Sequence, residues 1–161
     1  MILRRFHEQQ LAQMSYLIGC SDTRAAIVVD PIRDPDLYIE AAAAAGLTIT
    51  HVAETHIHAD YVSGTRELVA RTGAQLLLSA AGPPDWHYEF AEADGATLLR
   101  DADMFDVGHV RFTARHTPGH TPEHLSFVVR SLDTAEEPVA ILTGDFVFVS
   151  DVGRPDLLER A

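Results

Sequence analysis

The chain has 161 residues, 47% of them hydrophobic, which is enough for one globular domain with a sizeable buried core. Its formal net charge is −12, and a surface this acidic repels nucleic-acid backbones and anionic lipids, so neither is an expected partner. All 12 basic residues are arginine, which excludes lysine Schiff-base chemistry, and the single cysteine, Cys20, excludes an intramolecular disulfide.

The first half of the chain predicts strands that alternate with helices. A helix is expected from Asp34-Pro35 through the alanine run to Gly46, and another between Asp60 and Thr72, closed by Gly73. Four strands are predicted here, over residues 14–19, 25–29, 48–53 and 75–79. Asp30-Pro31 ends the second of them, because proline cannot donate a hydrogen bond to a sheet.

The second half reads mostly as strands. They are predicted over residues 96–99, 110–115, 125–129 and 139–142, with a turn between strands at Gly108-His109. The pattern indicates an α/β protein whose sheets carry helices on the outside. No apolar run reaches the roughly 20 residues that span a bilayer, and the N-terminus lacks a secretory signal pattern. We therefore expect a cytoplasmic protein.

Three segments at predicted strand ends carry metal-ligating side chains. They are His56-Ile57-His58-Ala59-Asp60, His116-Thr117-Pro118-Gly119-His120-Thr121 and Thr143-Gly144-Asp145. Imidazole and carboxylate are ligands of zinc and ferrous iron, and loops at strand ends converge on a rigid scaffold. Each segment alone has a plain structural explanation, such as a surface histidine or a capping aspartate. Their occurrence together favours a metal site.

In this order the three segments resemble the metallo-β-lactamase superfamily, which folds as an αββα sandwich with its metals at one edge of the sheets. Within it, residues 55–64, 116–127 and 142–157 resemble the bacterial persulfide dioxygenases, which are often fused to rhodanese domains. The resemblance implies a domain over residues 1–161 that corresponds to the N-terminal two-thirds or so of the usual catalytic domain. It therefore implies a C-terminally truncated domain without a rhodanese segment.

The resemblance also implies a set of site residues. The ligands of one Fe(II) per chain would be His56, His120 and Asp145. His58 and Asp60 would line the same pocket as candidate catalytic residues, and His58 is a further candidate ligand because its counterpart in hydrolytic relatives binds metal. Arg154 would bind the substrate, with Asp156 orienting it or serving only in a turn. His124 is expected to orient its loop or to support a ligand.

The implied activity is oxidation of glutathione persulfide by O2 to sulfite and glutathione. Two alternatives stay open: a zinc-dependent thioester hydrolase resembling glyoxalase II, and a non-catalytic protein, which is either a metal-binding fragment or a binding module that serves a rhodanese partner. Assembly into a homo-oligomer also stays open. One residue bears on this choice. The dinuclear hydrolases of the superfamily continue the first motif with a histidine that binds a second metal, and this chain has Tyr61 there. Tyr61 argues for one metal ion.

Overall fold

The structure, a computed structural model, describes residues 1–134 and 137–154. Two sheets pack face to face. The six-stranded sheet has the order β1-β2-β3-β4-β5-β6, the four-stranded sheet has the order β10-β9-β8-β7, and β11 and β12 form a separate hairpin. The strands are β1 (Ile2–Glu8), β2 (Gln13–Gly19), β3 (Ala25–Val29), β4 (Thr48–Ala53), β5 (Gln75–Ser79), β6 (Thr97–Leu99), β7 (Met104–Val107), β8 (Val110–His116), β9 (Leu125–Ser131), β10 (Ala140–Leu142), β11 (Val147–Phe148) and β12 (Asp151–Val152).

Two helices cover the outer face of the six-stranded sheet. They are α1 (Asp36–Ala44), which starts after Pro35, and α2 (Thr65–Thr72), which ends at Gly73 in the left-handed conformation. Tyr38 and Leu68 are fully buried between these helices and the sheet. A second core lies between the two sheets and includes Phe112 and Phe127. In the described ranges the helical layer lies over the six-stranded sheet only.

Strand direction determines where the site forms. β3, β4 and β5 are parallel to one another, so their carboxyl ends meet at one edge of the six-stranded sheet. β8 and β10 each pair antiparallel with β9, so they also run in a common direction. A hydrogen bond of 2.7 Å from the Leu125 backbone N–H to the Thr55 carbonyl joins the two sheets at this edge. The loops that follow β4, β8 and β10 therefore meet there.

The predicted strands and both helices are confirmed, with shifts of a few residues at some ends. The second helix begins at Thr65, several residues after Asp60. β1, β7 and the short strands β11 and β12 were not predicted. Charged residues interrupt the apolar residues of β1 and β7, and β11 and β12 have only two residues each. Among the described residues, no helix is both long and apolar enough to cross a membrane.

The Tyr38 hydroxyl links three elements inside the helix-side core. It lies 2.6 Å from Ser15 Oγ on β2 and accepts a hydrogen bond of 2.9 Å from the Ile32 backbone N–H. Replacing Tyr38 with Phe would leave the buried Ser15 hydroxyl and the part-buried Ile32 N–H without this partner. We expect Tyr38→Phe to lower the free energy of unfolding by about 1–3 kcal/mol, measured by urea denaturation.

Tyr16→Phe is the matched control, because the Tyr16 hydroxyl makes no hydrogen bond with any described residue. Its free energy of unfolding should stay within about 0.5 kcal/mol of the unsubstituted protein. Equal losses in both variants would contradict the role assigned to the Tyr38 hydroxyl.

Candidate metal centre

Three side chains from three loops converge at the common edge of the sheets. His56 follows β4, His120 follows β8 and Asp145 follows β10, and their ligand atoms all lie within 4.8 Å of one another. His56 is 1% exposed, whereas His120 and Asp145 are half-buried. His120 Nε2 lies 3.7 Å from Asp145 Oδ2, and the His56 and His120 rings are 5.0 Å apart and perpendicular.

A buried carboxylate fixes the orientation of His56. Asp30, 2% exposed at the end of β3, accepts hydrogen bonds from the Thr55 backbone N–H (2.7 Å) and the Thr55 hydroxyl (2.8 Å). Since the Thr55 hydroxyl donates its one hydrogen to Asp30, Thr55 Oγ1 accepts from His56 Nδ1, 2.9 Å away. His56 Nδ1 therefore carries the proton, and Nε2 keeps the lone pair that a metal ion needs.

His58 and Tyr61 lie beside this cluster in a different bonding state. His58 Nε2 is 3.1 Å from Asp30 Oδ1, and burial, which opposes the charge, is outweighed by Asp30, so the pKa of His58 is raised. The Tyr61 ring lies 4.6 Å from the His58 ring, and its hydroxyl accepts a hydrogen bond of 2.9 Å from Gln13 Nε2. The structure thus places His58 next to the cluster of His56, His120 and Asp145, but with Nε2 bonded to Asp30.

Gly144 lets the Asp145 loop approach the first motif. Its φ is +47°, and a Cβ at this position would contact the Thr55 hydroxyl and lie 2.7 Å from His124 Nε2. A side chain here would be strained and would push the loop away. The Thr-Gly-Asp order of the third motif therefore has a steric cause.

His124 packs against the ring of His56, and support of a ligand was one of the two roles expected for it. It is fully buried, its ring stacks on that of His56 with centroids 5.0 Å apart, and Nδ1 lies 3.0 Å from the Thr117 hydroxyl. Burial lowers its pKa to about 4, so the ring is neutral near neutral pH.

The remaining candidates lie around the cluster. Asp60 is exposed and, with His58 and Asp145, lines a cavity of about 360 Å³. Arg154 is exposed and directly follows Gly153, whose backbone N–H donates to the Phe146 carbonyl at 3.0 Å. Asp156 lies outside the described residues.

Sequence reasoning missed two buried carboxylates that position the first motif. Asp30 was interpreted as the end of a strand. Glu123 is fully buried, and its Oε1 accepts hydrogen bonds from the Ile57 backbone N–H at 2.6 Å and from the Thr121 hydroxyl at 3.0 Å. An acidic residue directly after a continuous apolar strand was the available signal for Asp30.

The donor set fits one metal ion. His120 Nδ1 and His124 Nε2 are buried, and neither has a hydrogen-bond partner within the described ranges. The cluster thus offers two imidazoles, His56 with its lone pair on Nε2 and His120, and the carboxylate of the half-buried Asp145. Their spacing is one that a single ion can draw together.

Comparison with known proteins agrees with this architecture. The family model of the metallo-β-lactamase superfamily matches residues 9–160. The chain belongs to the metallo-β-lactamase superfamily. A metallo-β-lactamase structure from Staphylococcus aureus subsp. aureus COL superposes with a TM-score of 0.93 at 41% identity, over 99% of this chain and 47% of that chain.

Two curated relatives of this metallo-β-lactamase domain differ in function. The mitochondrial persulfide dioxygenase ETHE1 of Bos taurus is 30% identical over 96% of this chain and 56% of its own length. The hydroxyacylglutathione hydrolase of Rhodospirillum rubrum is 32% identical over 86% of this chain and 49% of its own length. The chain thus spans about half the length of these relatives.

The orientation of His56 can be tested directly. Burial, with a further contribution from the neighbouring His58, lowers the pKa of His56 to about 2. We expect the metal-free protein to keep this ring neutral from about pH 7 down to about pH 5, with the proton on Nδ1. Long-range ¹⁵N–¹H NMR reports both properties, and a ring protonated on both nitrogens at about pH 5 would contradict the assignment.

Asp30→Asn tests the same contact from the carboxylate side. The amide cannot accept all the hydrogen bonds that the carboxylate accepts from Thr55 and His58, so the orientation of His56 is loosened. We expect Fe(II) affinity to fall about 10- to 100-fold, measured by competition with a chelator. Asp106→Asn, which removes an exposed carboxylate paired with Arg111 on the four-stranded sheet, is the control and should keep full affinity.

Proposed function

We propose that this chain carries the iron site of a persulfide dioxygenase, which oxidises glutathione persulfide to sulfite and glutathione. One persulfide, one O2 and one water give one thiol, one sulfite and two protons, and the terminal sulfur loses the four electrons that O2 gains. The observation that carries the proposal is the composition of the cluster, in which His56, His120 and Asp145 are available while His58 Nε2 is bonded to Asp30.

Two histidines and one carboxylate form the donor set of non-haem iron oxygenases. An iron ion held by His56, His120 and Asp145 would keep positions for further ligands and would supply the electron transfer to O2. A second ion, like that of the dinuclear hydrolases, would need further ligands. Here Tyr61 stands in the place of the usual histidine, and its hydroxyl accepts a hydrogen bond from Gln13. This bonding supports a mononuclear site.

The protein's own residues bind and orient the substrate. The cavity beside Asp145 is lined by apolar Leu11 and Phe148 and by polar His58 and Asp60, so a thiol chain can lie against its wall with its sulfur directed to the cluster. In this proposal Arg154, which lies two residues after the β11–β12 hairpin, holds a substrate carboxylate, because a guanidinium can donate two parallel hydrogen bonds to one carboxylate.

A zinc-dependent thioester hydrolase is the second candidate, and the identity to the hydroxyacylglutathione hydrolase of Rhodospirillum rubrum favours it. Hydroxide-bridged hydrolysis works best with two ions. The site for a second ion is weakened by the contact between His58 and Asp30 and by the presence of Tyr61.

The decisive experiment is oxygen uptake by the chain, loaded anaerobically with Fe(II), on addition of glutathione persulfide. We expect uptake matched one to one by sulfite. Asp145→Ala should lose both iron and uptake, because it removes one of the three ligands. The control Asp106→Ala should keep both.

Full iron content in Asp145→Ala would reject the ligand assignment. Thioester cleavage by a zinc-loaded sample, with no oxygen uptake by the iron-loaded one, would establish the hydrolase instead. A folded, iron-loaded protein with neither activity would indicate a binding role.

A further inference from the structure

A second cavity, also of about 360 Å³, adjoins the metal cluster and shares five lining residues with the first, among them His58, Asp145 and Phe148. It extends to the first two strands of the chain, where Arg5 and Tyr16 line it. Among the described residues, Arg5 is the sole arginine on its wall.

Arg5 and Tyr16 act as neighbours on this wall. They are directly opposed across the antiparallel β1–β2 pair, so their side chains lie on the same face of the sheet. Burial and the charge of Asp30 raise the pKa of the Tyr16 hydroxyl, and the guanidinium of Arg5 across the strand pair acts against that rise.

Both groups have hydrogen-bonding capacity to spare. Arg5 makes no ion pair or hydrogen bond with any described residue, and the same holds for the Tyr16 hydroxyl. The preceding arginine differs: Arg4 lies on the opposite face of the strand, and its Nη1 donates to the Ala41 carbonyl at 3.4 Å. A guanidinium on a cavity wall without a carboxylate partner among the described residues is unexpected in a chain with a net charge of −12.

We propose that Arg5 and Tyr16 form a carboxylate-binding subsite that holds one carboxylate of the thiol substrate while its sulfur reaches the cluster of His56, His120 and Asp145. The inference rests on the proposed function, because that function supplies a thiol substrate with carboxylates. It adds a second anchor, on the N-terminal strand, to the one proposed at Arg154.

The charge of the subsite favours a carboxylate over a more highly charged anion. One guanidinium and one neutral hydroxyl match a single negative charge, and the guanidinium fork fits the two carboxylate oxygens. Asp30 and Asp145 line the same cavity, so a dianion such as phosphate or sulfate would meet stronger repulsion.

Binding is measured first with S-methylglutathione, which keeps both carboxylates but has no free thiol, on the iron-loaded chain by calorimetry. We expect Arg5→Gln to raise the dissociation constant about tenfold and Tyr16→Phe to raise it about threefold. Arg4→Gln is the matched control, with the same charge change one residue away on the other face, and should bind as the unsubstituted chain does. Added salt should weaken binding less in Arg5→Gln than in Arg4→Gln.

Two further probes test the ligand chemistry. The dimethyl ester of S-methylglutathione should bind weakly and should not distinguish Arg5→Gln from Arg4→Gln. Sulfate should compete poorly. Equal binding by Arg5→Gln and Arg4→Gln, equal binding of ester and acid, or strong competition by sulfate would each overturn the subsite.

Kinetic measurements distinguish the carboxylate-binding subsite from the dioxygenase activity. With glutathione persulfide, Arg5→Gln should raise KM about tenfold and leave kcat unchanged, because the contact is equally strong in the ground state and the transition state. Oxygen uptake with the same KM in Arg5→Gln and Arg4→Gln would reject the subsite and keep the dioxygenase. Binding that depends on Arg5, without any oxygen uptake, would reject the dioxygenase and keep the subsite.

Discussion

The contact between the Asp30 carboxylate and the first metal motif is the constraint on which the site depends. A carboxylate that is 2% exposed is costly to bury unless its oxygens are bonded. Two donors from Thr55 and one ring nitrogen from His58 meet that need, and they come from a single short segment that follows the neighbouring parallel strand. The backbone of Asp30 also has a φ of +52°, a conformation that aspartate tolerates better than most residues. The Asp30 carboxylate thus orders the segment that follows β4 through contacts within the protein.

The same contact divides the two histidines of the motif between different tasks. His56 receives its orientation through the Thr55 hydroxyl and presents Nε2 to the cluster, whereas His58 gives Nε2 to Asp30. In extended backbone, a His-x-His pair places both rings on one side, which is why the sequence alone leaves His58 as a candidate ligand. The hydrogen-bonding partner decides between the two histidines, and that partner is 28 residues away along the chain.

This distance explains how far the sequence could predict the molecule. Local signals were sufficient for the helix end at Gly73 and for the buried strands, since turn residues and apolar runs are read over a few positions. The order of the three motifs led to the prediction of His56, His120 and Asp145, and in the structure their ligand atoms lie within 4.8 Å of one another. The supporting role of the Asp30 and Glu123 carboxylates was not predicted. Glu123 bonds the Ile57 N–H from 66 residues away, and nothing in its own neighbourhood distinguishes it from a loop carboxylate.

The charge distribution connects the site with the kind of substrate proposed for it. A chain with a net charge of −12 repels an anionic thiol at long range, and Asp30, Asp60 and Asp145 add negative charge at the cluster itself. An anion can therefore bind there only where positive charge is concentrated. His58, whose pKa is raised by Asp30, offsets part of this negative charge. A divalent ion held by His56, His120 and Asp145 would make the local charge positive. The Arg5 guanidinium on β1, which has no ion pair with a described residue, adds positive charge at the other end of the cavity. Metal loading and substrate binding should therefore be coupled. Both depend on how far the positive groups at the site offset the charge of its carboxylates.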